Sequence, residues 1–119
     1  MKTVLIADDD PITSAVITET LEEGEYRVIY ARDGKECVDM AVKYNPDIII
    51  LDVIMPVMDG VEALAEVRKT SDAPVVIMSA FGNSEKVERA RELGIECFIS
   101  KPFDPDVLIE LFDVIFLAE

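Results

Sequence analysis

Short apolar runs alternate with longer amphipathic segments along the chain, and this alternation is the strongest constraint on its fold. Within the third run, residues 48–51 read Ile-Ile-Ile-Leu and form a continuous apolar block. Such runs are typical of strands that are covered on both faces, as in parallel sheets. The sequence predicts five strands, at residues 3–7, 26–31, 47–51, 74–79 and 96–100.

The segments between these runs carry the start and stop signals of helices. Asp10 followed by Pro11 is typical of an N-cap and a first helical residue, and Gly24 is predicted to end this first helix. Its inward face is predicted to hold Val16, Ile17 and Leu21. The other helices are predicted over residues 34–44, from Asp59-Gly60 onward, from Asn83 or Ser84 to Gly94, and over residues 105–117.

Five strand–helix units predict a single doubly wound α/β domain over residues 1–119. Right-handed crossovers place helices on both faces of one five-stranded parallel sheet. The expected strand order, 2-1-3-4-5, is taken from the flavodoxin-like class of such folds.

The composition limits the classes of protein to which the chain can belong. With 119 residues, half of them apolar, it is long enough for one compact core and too apolar for a disordered segment. Its net charge of −14 argues against direct binding of nucleic acid, because a phosphate backbone would be repelled. Histidine is absent, which excludes histidine-based acid–base chemistry and a phosphohistidine within the chain.

The cysteines and the first residues point to the cytoplasm. Cys37 and Cys97 have no metal-binding spacing and are predicted to be reduced thiols. The opening segment MKTVLIADDD is too short in apolar residues and too acidic for a signal peptide. No segment approaches transmembrane length, so we expect a cytoplasmic location without membrane insertion.

Polar or reactive residues stand at the ends of four of the five predicted strands. They are residues 8–10 after the first strand, Asp52 after the third, Ser79 in the fourth and Lys101 after the fifth. In open α/β sheets, ligands bind beyond the carboxyl ends of the strands. We therefore expect these side chains to meet at one edge of the sheet.

The chemistry of this set is that of phosphoryl transfer. Several carboxylates in one place repel each other, so a bound cation or a raised pKa is expected. Oxygen ligands favour Mg²⁺, or Mn²⁺, over softer metals. A carboxylate beside such an ion can attack phosphorus, and a nearby ammonium and hydroxyl can hold the oxygens of the transferred group.

The sequence resembles the response-regulator receiver family of two-component signalling systems over essentially its whole length. The matching segments are LIADDDP at 5–11, IIILDVIMPVMDG at 48–60, VVIMSAFG at 75–82 and FISKPF at 98–103. A short motif such as DDD or KPF would be a weak indication by itself, but four matching segments in this order, each at a strand end, are highly specific. The resemblance implies the CheY-like form of the predicted fold.

The resemblance also implies a role for each matching residue of the acid pocket. Asp52 would be the phosphoacceptor and one of the groups around the metal. Asp9 would bind Mg²⁺ directly and Asp8 mostly through water, with the backbone carbonyl of Ile54 as a further ligand. Lys101 would pair with the acceptor carboxylate and then with the phosphoryl group, and its bond to Pro102 would be cis.

Two more residues match the switch positions of the family. Ser79 would be the hydroxyl that moves onto a phosphoryl oxygen, and it stands where threonine is commoner. Phe98 would be the aromatic side chain that turns inward, and it stands where tyrosine is commoner. The missing β-branch and the missing hydroxyl leave the balance of the two states open.

The function that the resemblance implies is a signalling switch. A histidine kinase or phosphotransfer protein would supply the phosphoryl group. The domain would catalyse only its own phosphorylation and dephosphorylation, so it is not expected to be an enzyme acting on other substrates. The change of state would reach an effector through the fourth helix, the fifth strand and the last helix.

Three other functions are weighed against the switch. An aspartate-nucleophile phosphohydrolase of the haloacid-dehalogenase kind would have a second acid at residue 54, which is Ile54 here. A flavodoxin-type cofactor binder would need a phosphate loop after the first strand, where residues 8–10 would repel phosphate. A receiver-like module that is never phosphorylated is disfavoured by the complete acceptor set.

Several residues near the pocket have structural explanations. Asp10 is better explained as an N-cap than as a metal ligand, because Pro11 follows it. Asp59-Gly60 is predicted to be a turn and helix cap. Met55, Met58 and Met78 are predicted to be packing residues.

The last helix is more apolar than one buried face requires. The stripe on the sheet is predicted to be Leu108, Leu111, Phe112 and Ile115. The remaining apolar residues predict a second buried face, against a partner, a second copy of the chain in a homodimer, or a domain outside this chain.

Overall fold

The structure is a computed structural model that describes residues 1–80 and 84–117, except for the side chain of Ser84. In these residues, strands and helices alternate as predicted. The strands are β1 (Thr3–Ala7), β2 (Arg27–Ala31), β3 (Ile48–Asp52), β4 (Val75–Ser79) and β5 (Cys97–Ser100). The helices are α1 (Pro11–Glu23), α2 (Gly34–Tyr44), α3 (Gly60–Val67), α4 (Ser84–Leu93) and α5 (Asp106–Leu117).

The strands form one parallel sheet in the order β2-β1-β3-β4-β5, which confirms the predicted fold class and strand order. Four strands differ from their predicted bounds by one residue. β4 begins at Val75 because Pro74 has no N–H to donate to the ladder. β3 extends to Asp52, so this aspartate ends the strand and pairs in register with Met78 of β4.

The core lies in two layers, one on each face of the sheet. Successive residues of the central strands point to opposite faces, as in Ile49 and Ile50 of β3. One layer packs against α2, α3 and α4, and the other packs against α1 and α5. Because both faces are covered, the apolar block of β3 is fully buried.

The predicted inward face of α1 is wrong at one residue. Ile17 and Leu21 are buried, but Val16 is 46% exposed. Ser14 is buried instead, because residues 14, 17 and 21 recur at helical spacing on one side of the helix. Val16 lies off that line, next to Ile17, and faces solvent.

The predicted caps are confirmed. The Asp10 carboxylate accepts a hydrogen bond from the Ile12 N–H, and Pro11 begins α1. Asp59 and Glu62 form a reciprocal capping box at the start of α3. α4 begins at Ser84, and the alternative start at Asn83 lies outside the described residues. α5 begins at Asp106, one residue later than predicted.

The apolar residues of α5 divide between the core and solvent. The predicted stripe is confirmed, since Leu108 and Phe112 are buried and Leu111 and Ile115 pack against the same layer. Two residues outside the stripe, Ile109 and Phe116, also pack against this layer, so they do not belong to a second face. The exposed apolar residues of α5 are Val107, Val114 and Leu117, with exposed fractions of 42%, 67% and 83%.

Neither cysteine forms a disulfide: Cys37 is buried and Cys97 is half-buried. Burial raises the pKa of the Cys37 thiol to about 12. None of the helices in residues 1–80 and 84–117 is long and apolar enough to span a bilayer.

Candidate functional site

The residues proposed for the site meet at the carboxyl edge of the sheet. The backbone continues the strand ladders beyond their ends: the Asp8 N–H donates to the Ala31 carbonyl at 3.1 Å, and the Lys101 N–H donates to the Ser79 carbonyl at 2.8 Å. Parallel strands bring these ends together although the residues lie far apart in sequence. The Lys101-Pro102 bond is cis, as predicted.

Three carboxylates lie together at this edge. One oxygen each of Asp8, Asp9 and Asp52 lies within 4.8 Å of the others. Asp8 is fully buried and Asp52 is 6% exposed, whereas Asp9 is exposed. Asp10 uses its carboxylate to cap α1, accepting from the Thr13 hydroxyl at 2.7 Å as well as from α1 backbone.

The Lys101 ammonium joins two of these carboxylates. Its Nζ lies 2.9 Å from Asp52 Oδ2 and 2.8 Å from Asp8 Oδ2. The contact with Asp52 agrees with the predicted pairing, and the contact with Asp8 was not anticipated by sequence reasoning. Lys101, which directly follows β5, therefore contacts both the end of β3 and the loop after β1.

Burial and charge act in opposite directions on these groups. Burial raises the pKa of Asp52, and the hydrogen bond and charge of Lys101 only partly offset this effect. Burial alone would lower the pKa of Lys101, but its bonds to Asp52 and Asp8 raise it overall. With all groups charged, three carboxylates against one ammonium leave two formal negative charges at the site.

The donor set fits a hard divalent cation. Carboxylate oxygens are the ligands that Mg²⁺ prefers, and it is commonly held by only one or two of them together with water and phosphate oxygens. The excess negative charge of the pocket matches the charge of such an ion. Asp9, the exposed member, would be open to an ion arriving from solvent.

The Asp52 carboxylate is held at both of its oxygens. Asp52 Oδ1 accepts a hydrogen bond of 3.1 Å from the Ile54 N–H, while Oδ2 contacts Lys101. The Ile54 side chain is 51% exposed. The predicted use of the Ile54 carbonyl as a metal ligand stays a prediction.

The loop after Asp52 is fixed by close backbone contacts that sequence reasoning missed. A methyl carbon placed on Gly60 would lie 2.1 Å from the Asp52 carbonyl oxygen, and one on Gly34 would lie 2.0 Å from the Met58 carbonyl oxygen. The Gly60 N–H also donates to the Val53 carbonyl at 2.8 Å. Asp-Gly pairs in the sequence indicate the helix starts, but not the surfaces that these glycines touch.

The same loop contains a strained turn. Val57 has a φ of 70° and is 79% exposed, and the Met58 N–H donates to the Pro56 carbonyl at 2.7 Å. A hydrogen bond across one left-handed residue is a classic γ-turn, which is rare even for residues without a β-branch.

Of the two predicted switch residues, Ser79 lies at this edge, and Phe98 lies two residues before the end of β5. Ser79 is the last residue of β4, is 1% exposed and lies in register with Ser100 of β5. Phe98 is half-buried against the layer that packs on α2, α3 and α4. Residues 81–83, which follow Ser79, lie outside the described residues, so the switch roles stay predictions.

Three methionines that pack and one tyrosine that donates a hydrogen bond complete the site. Met55 and Met78 are buried and Met58 packs against the core, which confirms them as packing residues. Tyr30 was missed by sequence reasoning: its hydroxyl donates to the Asp8 carbonyl at 2.7 Å. No pattern in the sequence distinguishes this tyrosine from any other strand residue.

Comparison with known proteins gives a consistent result. The family model described as response regulator receiver domain matches residues 4–113. The transcriptional regulatory protein PdtaR of Mycobacterium tuberculosis is 38% identical over 112 residues, covering 93% of this chain and 55% of that protein. The chemotaxis protein CheY of Halobacterium salinarum is 34% identical over 116 residues, covering 96% of this chain and 97% of that protein. The chain thus spans about half the length of PdtaR and nearly all of this CheY.

A solved structure with a related description is similar to this chain in fold. The receiver domain of sensor histidine kinase PA1611 from Pseudomonas aeruginosa PAO1 has a TM-score of 0.84 and 27% identity, covering 92% of this chain and 93% of that one. That structure is described with a magnesium ion coordinated in the active site cleft. The acidic cluster of the present chain has a composition suited to the same ion.

Proposed function

Because the chain belongs to the response regulator receiver family, we propose that it is a phosphoryl-accepting switch with Asp52 as the acceptor and Mg²⁺ as the cofactor. The observation that carries this proposal is the pocket of Asp8, Asp9 and Asp52, with Lys101 bonded to the first and the last. A histidine kinase or phosphotransfer protein would supply the phosphoryl group. The domain would catalyse only its own phosphorylation and dephosphorylation.

The residues of the pocket divide the work of phosphoryl transfer. Asp52 presents a carboxylate oxygen as the nucleophile, and its position is set by the Ile54 N–H and the Lys101 ammonium. As the new O–P bond forms and the bond to the donor breaks, the electron pair of the broken bond leaves with the donor. Lys101 then stays close to the phosphoryl oxygens and offsets their charge.

Asp9 and Asp8 would hold the cation, with the Ile54 carbonyl as a further ligand. When bound, Mg²⁺ would neutralise the charge that the carboxylates and the phosphoryl group bring together. The exposure of Asp9 supports a direct bond from its carboxylate to the ion. Asp8 is buried and bonded to Lys101, which suits a ligand acting through water.

Phosphorylation would change the surface formed by α4, β5 and α5. The Ser79 hydroxyl would move onto a phosphoryl oxygen, and Phe98 would turn into the space that opens. Phosphorylation would favour the conformation in which Ser79 and Phe98 have moved, because the phosphoryl group makes contacts in that conformation that the other lacks. The downstream effector would bind at this surface, and the exposed Val107, Val114 and Leu117 of α5 would contribute to the contact.

The partner at this surface is proposed to be a protein. A net charge of −14 disfavours direct contact with nucleic acid, so any effect on transcription would pass through another domain or protein. A second copy of the chain at α5 is the alternative occupant. Sedimentation of the phosphorylated and unphosphorylated protein at high concentration tests it, and a monomer in both states would argue against a homodimer.

Incubation with acetyl phosphate and Mg²⁺, followed by intact mass measurement, tests the proposed function. The wild type should gain one phosphoryl group, and removal of Mg²⁺ by chelation should abolish the gain. Asp52→Asn should not be modified. Asp47→Asn is the matched control, because Asp47 adjoins the opposite end of β3 and should be modified like the wild type. Modification that survives Asp52→Asn, or no modification of the wild type, would overturn the proposal.

A further inference from the structure

The Asp8 residue is held by hydrogen bonds at all of its polar groups. Its N–H donates to the Ala31 carbonyl at 3.1 Å, and its carbonyl accepts from the Tyr30 hydroxyl at 2.7 Å. Its side-chain oxygens accept from the Asp10 N–H at 2.8 Å and from Lys101 Nζ at 2.8 Å. Two of these four bonds come from β2, the edge strand beside β1.

The bond from Tyr30 is the one that a side chain of β2 supplies. Tyr30 lies in register with Ile6, so its ring reaches past Ala7 to the carbonyl of Asp8. The ring packs against the core layer of α1 and α5, which limits its freedom. A partly buried tyrosine hydroxyl needs a polar partner, and here that partner is the loop that carries the acids.

The carbonyl that Tyr30 contacts belongs to the peptide group between Asp8 and Asp9. A peptide group is planar, so a hydrogen bond that orients its oxygen also orients the N–H of Asp9 and the direction of the bond from that nitrogen to the Asp9 Cα. Asp9 is exposed, and one of its carboxylate oxygens lies within 4.8 Å of an oxygen of Asp8 and of Asp52. Its position therefore depends on the backbone from which it starts.

We propose that Tyr30 is a positioning residue for the cation site: its hydroxyl holds the Asp8–Asp9 peptide plane so that the Asp9 carboxylate lies beside those of Asp8 and Asp52. This inference rests on the proposed function, because that proposal makes Mg²⁺ the cation bound at this site. Tyr30 touches neither the acceptor nor the ion in this scheme. It acts through the backbone of the acid loop.

Tyr30→Phe tests the inference, because it removes the hydroxyl and keeps the ring. Tyr26→Phe is the matched control, since Tyr26 precedes the other end of β2 and its ring packs against Phe112 and Phe116. Calorimetric titration with Mg²⁺ should show binding weakened by about twofold to tenfold in Tyr30→Phe, the range expected for one neutral hydrogen bond. Tyr26→Phe should bind Mg²⁺ like the wild type.

A second measurement separates positioning from a general loss of stability. In the reaction with acetyl phosphate, the Mg²⁺ concentration for half-maximal rate should rise by the same factor in Tyr30→Phe, while the rate at saturating Mg²⁺ should stay near that of the wild type. A merely structural role would lower the saturating rate and leave the half-maximal concentration unchanged. That result would overturn the inference.

A third measurement does not depend on the ion. In metal-free protein, the amide resonances of Asp9 and Asp10 should shift in Tyr30→Phe and not in Tyr26→Phe. Unchanged amides, or equal Mg²⁺ affinity in Tyr30→Phe and the wild type, would overturn the role of Tyr30 and leave the proposed function standing. A wild type that does not bind Mg²⁺ would overturn the proposed function and this inference together.

Discussion

Replacement of Gly60 by alanine should displace Asp52, the proposed phosphoacceptor. Gly60 is the first residue of α3 and does not have a left-handed φ, so its backbone conformation is open to alanine. The methyl carbon would nevertheless meet three backbone atoms, at 2.1 Å from the Asp52 oxygen, 2.9 Å from the Asp52 carbonyl carbon and 2.9 Å from Val53 Cα. Backbone atoms in a sheet cannot move aside as the end of a side chain can.

The size of the effect follows from the shortest of these contacts. An ordinary contact begins at 3.4 Å, so the methyl group and the Asp52 oxygen must separate by about 1.3 Å. Without a clash, glycine to alanine would stabilise the protein by about 0.4–1 kcal/mol. Overpacking of this kind costs about 1–3 kcal/mol, so the midpoints of the two ranges give a net destabilisation of about 1.3 kcal/mol. A misplacement of about 1 Å at a reacting group lowers its rate on the order of 100-fold.

Urea unfolding and the rate of phosphorylation by acetyl phosphate measure the two effects. Gly24→Ala is the control, because its methyl group would lie 2.9 Å from the Cδ1 atom at the flexible end of Ile109. This control should change stability by less than about 0.5 kcal/mol and leave the phosphorylation rate unchanged. A Gly60→Ala variant as stable as the wild type, with the wild-type rate, would refute the packing argument.

Two other predictions concern the charge and the strain of the site. Burial raises the pKa of Asp52 in the folded state above its ordinary value of 3.8. Between the ordinary pKa and the raised pKa, the folded state binds more protons than the unfolded state, so this group makes stability fall as pH rises. In metal-free buffer, Asp52→Asn should therefore be more stable than the wild type at neutral pH. This advantage should shrink as pH falls towards 3.8, by at most about 1.4 kcal/mol per pH unit. A stability advantage that does not depend on pH would contradict the argument. Val57→Gly should raise the free energy of unfolding by about 0.5–1 kcal/mol, because glycine removes the strain of a left-handed β-branched residue. Val42→Gly is the control: Val42 is an exposed residue of α2, and its replacement should lower the free energy of unfolding. Thermal unfolding that shows no gain in stability for Val57→Gly would argue against strain at this turn.

The sequence alone determined the architecture of this protein and the place of its site. Five apolar runs alternating with amphipathic segments leave few folds besides a doubly wound parallel sheet. Parallel strands end at one edge, so the positions of Asp8, Asp52 and Lys101 along the chain were enough to predict that they meet. These conclusions depend on periodicity and strand direction, and both can be read from local sequence.

Contacts that depend on register and packing could not be read in this way. Three features are set by how the elements pack against each other. They are the exposure of Val16 on α1, the inward packing of Ile109 and Phe116, and the bond from Lys101 to Asp8. Helical spacing indicates that a helix has an apolar side, but a broad apolar pattern does not say which residues at its margin are covered.

The tertiary structure also decided how the loop after β1 and the loop after β3 are held. The approach of Gly60 to the Asp52 carbonyl, and the bond from Tyr30 to the Asp8 carbonyl, each join a residue to backbone that belongs to another element. Every residue has the same backbone carbonyl, so the residue types in the sequence do not show which carbonyl another residue will contact. The sequence determined which side chains form the pocket, and the packed structure determined what holds them in place.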